Sequence, residues 1–275
     1  MQAALPPLSE TYALTEDQLT SYRRDGHIML RQVVTPDELD VYYPHIHRYV
    51  STHDLEHVPE EERHYYGVER AFPTVMNMWE RDETIRRFTF ARRFAEIAAN
   101  LTGVDGIRLY HDSCIFLPPG GHAIPWHTDS AYMLPIDPDL TITMWMALRD
   151  IPDAIGSMGF VSGSQEVEDA NVLNTARAGM PLVSYGPMKA GDATFHTGLT
   201  LHYAPPNRTK DVVREVLTVI YIADRVHIMA PAENEAKEFR DYHLKRLFPG
   251  CKAGDPARSE FTPLVYSRDE GEEKL

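Results

Sequence analysis

The chain has 275 residues, enough for one large domain or two small ones, and is 43% hydrophobic and 25% charged, the balance of a globular protein. Its formal net charge of −14 argues against a nucleic-acid partner, and no apolar run is long enough to span a membrane. Cys114 and Cys251 are too few for a disulfide framework, which points to a reducing cytoplasm, and Met1–Pro7 has neither the basic nor the apolar region of a secretory leader.

Residues 1–13 read as an extended arm. Thr15 and Gln18 make a capping-box pair that starts a helix, and Gly26 suits its end. His27 to Val34 is strand-like. Thr35-Pro36-Asp37-Glu38 opens a second helix with a cap, a first-turn proline and a returning glutamate. His45 and His47 follow on it at a spacing that does not share a helical face, so they read as surface residues. Residues 53–70 are charged and irregular, a solvated loop or a lid, and contain Tyr65 and Tyr66. Asn77-Met78-Trp79 is a polar-aromatic patch between loops. Phe94, Ile97, Ala98 and Leu101 recur at helical spacing, a core-facing stripe closed by Gly103.

From residue 107 the period changes. Ile107–Leu117 reads as a strand, broken by Pro118-Pro119-Gly120-Gly121. In Thr141–Arg149, Ile142, Met144, Met146 and Leu148 share one face, while Thr143, Trp145, Ala147 and Arg149 share the other. One apolar face and one mixed face suit a barrel wall with helices outside and a polar cavity within. Met158–Val161, Ala193–His196, Leu199–Tyr203 and Glu215–Ala223 add short strands. The pattern predicts an α+β protein with a mainly β core, a jelly roll with packing helices. No internal repeat or linker divides it, so one domain over 1–275 is expected, with an acidic tail at 267–275.

Ile124-Pro125-Trp126-His127-Thr128-Asp129 carries the chemistry. On a strand, His127 and Asp129 point the same way and Thr128 turns aside. His202, far downstream, is the third candidate ligand. Two histidines and one carboxylate on one face of an octahedral metal suit a non-heme Fe(II) oxygenase, whose other face stays open for cosubstrate and O2. His196 lies six residues before His202, on the same face if the strand is continuous; Gly198 breaks it, leaving His196 beside the site. Arg214 follows the turn Pro205-Pro206-Asn207, which in a hairpin would bring it near His202. By itself it reads as a surface arginine beside Asp211 or Glu215. After such an order of ligands it suits the far carboxylate of a dicarboxylate cosubstrate, with Arg149 and Arg108 as the next candidates.

The order His-x-Asp, distant His, then Arg resembles the phytanoyl-CoA dioxygenase family of Fe(II)/2-oxoglutarate oxygenases. Other matching stretches are Leu109-Tyr110-His111-Asp112, Pro119-Gly120-Gly121, Trp145-Met146-Ala147-Leu148-Arg149-Asp150, Gly156 to Ser164, Gly191-Asp192 and Asn207 to Arg214. The likeness runs from about residue 15 to about 265. It implies a double-stranded β-helix, cupin-like, with His127, Asp129 and His202 on Fe(II) and Arg214 on 2-oxoglutarate. It also implies Trp145 and Ser164 beside that cosubstrate, and O2 as second cosubstrate. The expected reaction is hydroxylation of an unactivated C–H bond of a small molecule, with a natural-product intermediate as a candidate, and succinate and CO2 released. Desaturation, epimerisation or cyclisation on the same iron, or a non-catalytic cupin-like binding protein, are the alternatives. Ala204 stands where members often carry a hydroxyl, Leu117 where many carry lysine, and the His-to-Arg spacing is one residue longer than the commonest form. Asp129 keeps the position that halogenating relatives leave to halide. Tyr65, Tyr66, Asn77, Trp79, Tyr132 and Met158 are the candidate substrate residues, each also readable as packing. The acidic balance favours an uncharged or cationic substrate over a coenzyme A ester.

Overall fold

In a computed structural model, residues 4–52, 74–132, 135–168, 170–231 and 237–269 are described. Helix α1 (Glu16–Asp25) starts as its sequence dictates: the Thr15 side chain accepts the Gln18 N–H, the Gln18 side chain accepts the Thr15 N–H, and Gly26 ends the helix at φ 77°. Strand β1 (His27–Leu30) is shorter than the expected run to Val34. Helix α2 (Pro36–Thr52) begins with the reciprocal Thr35–Glu38 pair. Glu38 also takes the buried Arg93 guanidinium at 2.8 Å through both oxygens, which ties α2 to the start of α4. Short α3 (Glu83–Thr89) is capped by Asp82, and α4 (Arg92–Thr102) buries the stripe of Phe94, Ile97, Ala98 and Leu101. The N-terminal arm is packed as well as extended: Leu8 is buried, and the Tyr42 hydroxyl donates to the Pro6 carbonyl.

The strands are β2 (Thr74–Met76), β3 (Gly106–Leu117), β4 (Ile124–His127), β5 (Thr141–Ala147), β6 (Gly159–Val161), β7 (Leu182–Ser184), β8 (Ala193–Thr197), β9 (His202–Ala204), β10 (Arg214–Ala223) and β11 (Leu264–Ser267). Helix α5 (Val172–Arg177) precedes β7 and α6 (Lys237–Leu247) precedes β11. A seven-stranded antiparallel sheet runs β1-β8-β5-β10-β3-β11, with β2 also on β3; a four-stranded one runs β4-β9-β6-β7. This is the expected mainly β jelly roll with packing helices.

Alternation along β5 and β8 sets the layers. Ile142, Met144, Met146 and Phe195 join the core that holds α2 to α4, whereas Trp145 and Ala147 face an inner cluster with Met158, Phe160, Ala204 and Val216. Strand β9 begins only at His202, so the expected strand from Leu199 fails: Thr197 and Gly198 turn the chain, with the Thr200 N–H bonded to the Thr197 carbonyl. Nor is the step from His202 to Arg214 a hairpin, because β9 and β10 belong to different sheets. Among the described residues no helix is long and apolar enough to cross a membrane.

Candidate metal centre

His127 ends β4 and pairs in register with His202, the first residue of β9, so the two imidazoles lie side by side with ring centroids 4.2 Å apart. Each ring is oriented by its own backbone: His127 Nδ1 meets the Pro125 carbonyl at 2.8 Å, and His202 Nδ1 meets the Thr200 carbonyl at 2.9 Å. A carbonyl only accepts, so both Nδ1 atoms carry the proton and both Nε2 atoms keep a lone pair. Those lone pairs converge on Asp129, whose Oδ1 lies 3.6 Å from either Nε2. The ligand-type atoms of His127, Asp129 and His202 all lie within 4.8 Å of one another, a group able to hold a metal ion.

Asp129 is brought there differently from the strand expectation. The strand stops at His127, and Asp129 opens a 3-10 turn running to Tyr132. Its carboxylate is fixed from the larger sheet instead. Oδ2 accepts the Thr143 hydroxyl at 2.6 Å and His196 Nε2 at 3.1 Å. Burial opposes ionisation of Asp129, but His202 and then His196 and His127 outweigh it and hold the carboxyl well below its usual range. Burial drives His202 the other way, well below the ordinary imidazole value. The site at neutral pH is an anionic carboxylate facing a neutral imidazole, the state a metal requires.

Register places further residues on this inner face. His111, Ile220, Thr143, His196 and His27 pair strand to strand in one row, and Ser113, Thr218, Trp145 and Thr194 form the next. His111 is pushed down to about 4 by burial, and its Nδ1 lacks a partner among the described residues. At the far end of β10 stands Arg214, 1% exposed rather than on the surface. Its Nη1 donates to the carbonyls of Pro205 (2.8 Å) and Gly156 (3.1 Å), while its buried Nε has no partner among the described residues. Burial lowers the guanidinium to about 10, with no carboxylate among the causes, so it stays a cation.

The other expected residues separate. Trp145 and Met158 lie in the inner cluster. The buried Ser164 hydroxyl accepts the Leu201 N–H at 2.8 Å, which fixes the approach to His202. Asn77 adopts a left-handed backbone at φ 50°, and its buried Oδ1 has no partner among the described residues. Trp79 is placed differently from the pocket expectation: it belongs to the helix-side core, against Phe90 and Arg86. Its neighbourhood is set by buried Asp112, which accepts the N–H groups of Met78 and Trp79 and the Thr89 hydroxyl. Tyr65, Tyr66 and the Tyr132 side chain lie outside the described residues. Of the two alternative arginines, Arg149 is exposed over Tyr43 and Arg108 pairs with Asp224. Sequence reading passed over Thr143; its only signal was its place on the polar face of β5.

Solved structures with this fold include the epimerase SnoN in complex with Fe3+, alpha ketoglutarate and nogalamycin RO: 23% identity, TM-score 0.73, 91% of this chain and 98% of that one. The alpha ketoglutarate-dependent carbocyclase SnoK from nogalamycin biosynthesis matches at 25% identity and TM-score 0.72, over 92% and 96% of the two chains. EctD from S. alaskensis, with 2-oxoglutarate and 5-hydroxyectoine, matches at 16% and 0.68, over 93% and 92%. A search of curated protein sequences finds no match. The family model for phytanoyl-CoA dioxygenase (PhyH) matches residues 22–216, a span that contains all three metal-site residues and Arg214, and the chain belongs to this family of non-heme Fe/2-oxoglutarate-dependent enzymes.

Proposed function

We propose that the protein hydroxylates an unactivated C–H bond of a small, uncharged or cationic molecule of natural-product type, using Fe(II), 2-oxoglutarate and O2. One observation carries this reading: two oriented Nε2 lone pairs and one carboxylate oxygen converge at one end of a barrel that buries an uncompensated arginine. The donor set fits the group, since imidazole and carboxylate suit Fe(II) and three protein ligands leave half an octahedron open. His127, Asp129 and His202 would hold the metal. Bound there, iron would supply the oxidising chemistry, with 2-oxoglutarate converted to succinate and CO2.

The rest is the work of the chain. The Nη1 edge of Arg214 is tied to two carbonyls, so its Nε edge would take the distal carboxylate of the cosubstrate. The side chains of Ala204 and Leu117 bring no donor to it. Trp145, Met158, Phe160 and Val216 give the space an apolar wall that excludes water. Both cysteines are free thiols, which accords with a cytoplasmic location.

The test is succinate formation from 2-oxoglutarate with Fe(II) and O2 across a panel of small molecules, with product mass as the second readout. Gain of one oxygen is expected, and Ala at His127, Asp129 or His202 should abolish turnover. Two of those variants turning over with wild-type iron content would sink the metal assignment. A second reading is favoured by the epimerase and carbocyclase among the structural neighbours: epimerisation leaves the mass unchanged, and ring closure removes two hydrogens.

A further inference from the structure

We propose that Thr143 and His196 are positioning residues that act together as a clamp, fixing Asp129 as a one-oxygen metal ligand. The inference rests on the metal assignment above. A carboxylate has two oxygens and can chelate a metal with both. Here they are used for different tasks. Oδ2 is occupied by two donors, the Thr143 hydroxyl at 2.6 Å and His196 Nε2 at 3.1 Å. Oδ1 is turned to the two Nε2 atoms of His127 and His202. Because Asp129 lies in a short 3-10 turn and not in a strand ladder, its side chain takes its direction from outside. Both donors sit on strands of the larger sheet and are register partners, Thr143 on β5 opposite His196 on β8. A ligand carried by a turn is thus oriented by two side chains on rigid elements.

A comparison within the same row separates this from ordinary packing. His27 is the register partner of His196 on the next strand and is equally buried. Its two ring nitrogens are both satisfied, Nδ1 by the Tyr185 hydroxyl at 2.7 Å and Nε2 by the Ser162 hydroxyl at 2.9 Å. His196 has a partner for Nε2 alone; its Nδ1 is buried and has none among the described residues. Its polar chemistry is directed wholly at Asp129. To donate to a carboxylate, His196 must carry its proton on Nε2, the opposite tautomer from the two ligand histidines. The clamp leaves the second oxygen no vacancy at the metal, so the centre keeps the position a chelating carboxylate would fill.

Mn(II) binding to the metal-free protein, followed by electron paramagnetic resonance, tests this without a substrate. Thr143→Val and His196→Leu should each weaken Mn(II) by about 10–100-fold, the usual loss when a partner of a metal ligand is removed. Thr143→Ser and His196→Gln, which keep a donor, should retain wild-type affinity. Thermal unfolding of each metal-free variant checks the fold; should His196→Leu not fold, the Val and Ser variants at Thr143 decide. Wild-type Mn(II) affinity in folded Thr143→Val overturns the clamp, and so does equal loss in the Ser and Val variants, which would mean packing. His202→Ala binding Mn(II) as the wild type does would instead remove the metal assignment itself.

Discussion

The two faces of the β5–β8 pair are equally dry and chemically opposite. On the helix side Ile142, Met144, Met146 and Phe195 are all 0% exposed and belong to the apolar core. On the inner side Thr143, Trp145, Thr194 and His196 are no more than 4% exposed, yet they include a hydroxyl and a ring nitrogen, Thr194 Oγ1 and His196 Nδ1, without partners among the described residues. Atoms with no partner among the described residues also occur in the helix-side core, at Trp79 Nε1 and Tyr221 Oη, but these are the tips of large rings whose apolar bodies gain most from burial. Burial alone therefore does not separate core from site. On these two strands the unmet hydrogen-bonding capacity of Thr194 and His196 marks the inner face, because a fold keeps such groups dry at a cost unless something else meets it.

This contrast can be broken at either face. Phe195→Ala, on the helix side, should cost about 3–5 kcal/mol of stability by opening a cavity, while leaving Mn(II) affinity in place. Chemical denaturation and a metal titration of the same protein check both halves; a loss of metal affinity with stability intact would reverse the assignment of faces. Arg214→Gln, on the inner side, should do the opposite. Truncating one partner of a buried charged pair costs about 2–5 kcal/mol, so the apparent KM for 2-oxoglutarate should rise at least about 30-fold. Lys should fall between Arg and Gln. Unchanged 2-oxoglutarate binding in Arg214→Gln would place the anchor elsewhere.

The smallest effect is on pH. Burial holds His27 at about 4, below the ordinary imidazole value of 6.5, and Asp25 only partly offsets it. As pH falls below 6.5 the unfolded chain takes up a proton that the folded protein refuses until about 4, so stability drops across that window and is fully present above it. At about 1.4 kcal/mol per pH unit, this costs on the order of 2–3 kcal/mol of stability by pH 4. Buried Asp112, raised to about 7, works against this: it stays protonated while the unfolded carboxyl ionises, so it gains as pH falls from 7 toward 4. His111, also pushed down to about 4 by burial, adds a second loss over the same window, so the metal-free wild type should lose stability from pH 6.5 to 4, and His27→Leu should flatten the curve. An unchanged slope in that variant would show that His27 titrates normally in the fold.

The sequence by itself determined the helix starts at Thr15 and Thr35 and the two faces of β5, because each depends on a local period or a cap within four residues. It also carried the order of ligands that marks the family, although Asp129 proved to lie past the end of its strand. What only the tertiary structure decided is how distant positions meet. No spacing announces that His202 pairs with His127 across β4 and β9, that Arg214 is buried in the other sheet rather than opposite His202 in a hairpin, or that Trp79 turns to the helix side. Nor could it reveal that Thr143, from a third strand, closes on the second oxygen of Asp129. Caps and alternation are set by backbone geometry over a few residues; convergence at the metal centre is set by strand register between segments far apart in the chain, which only the folded sheets fix.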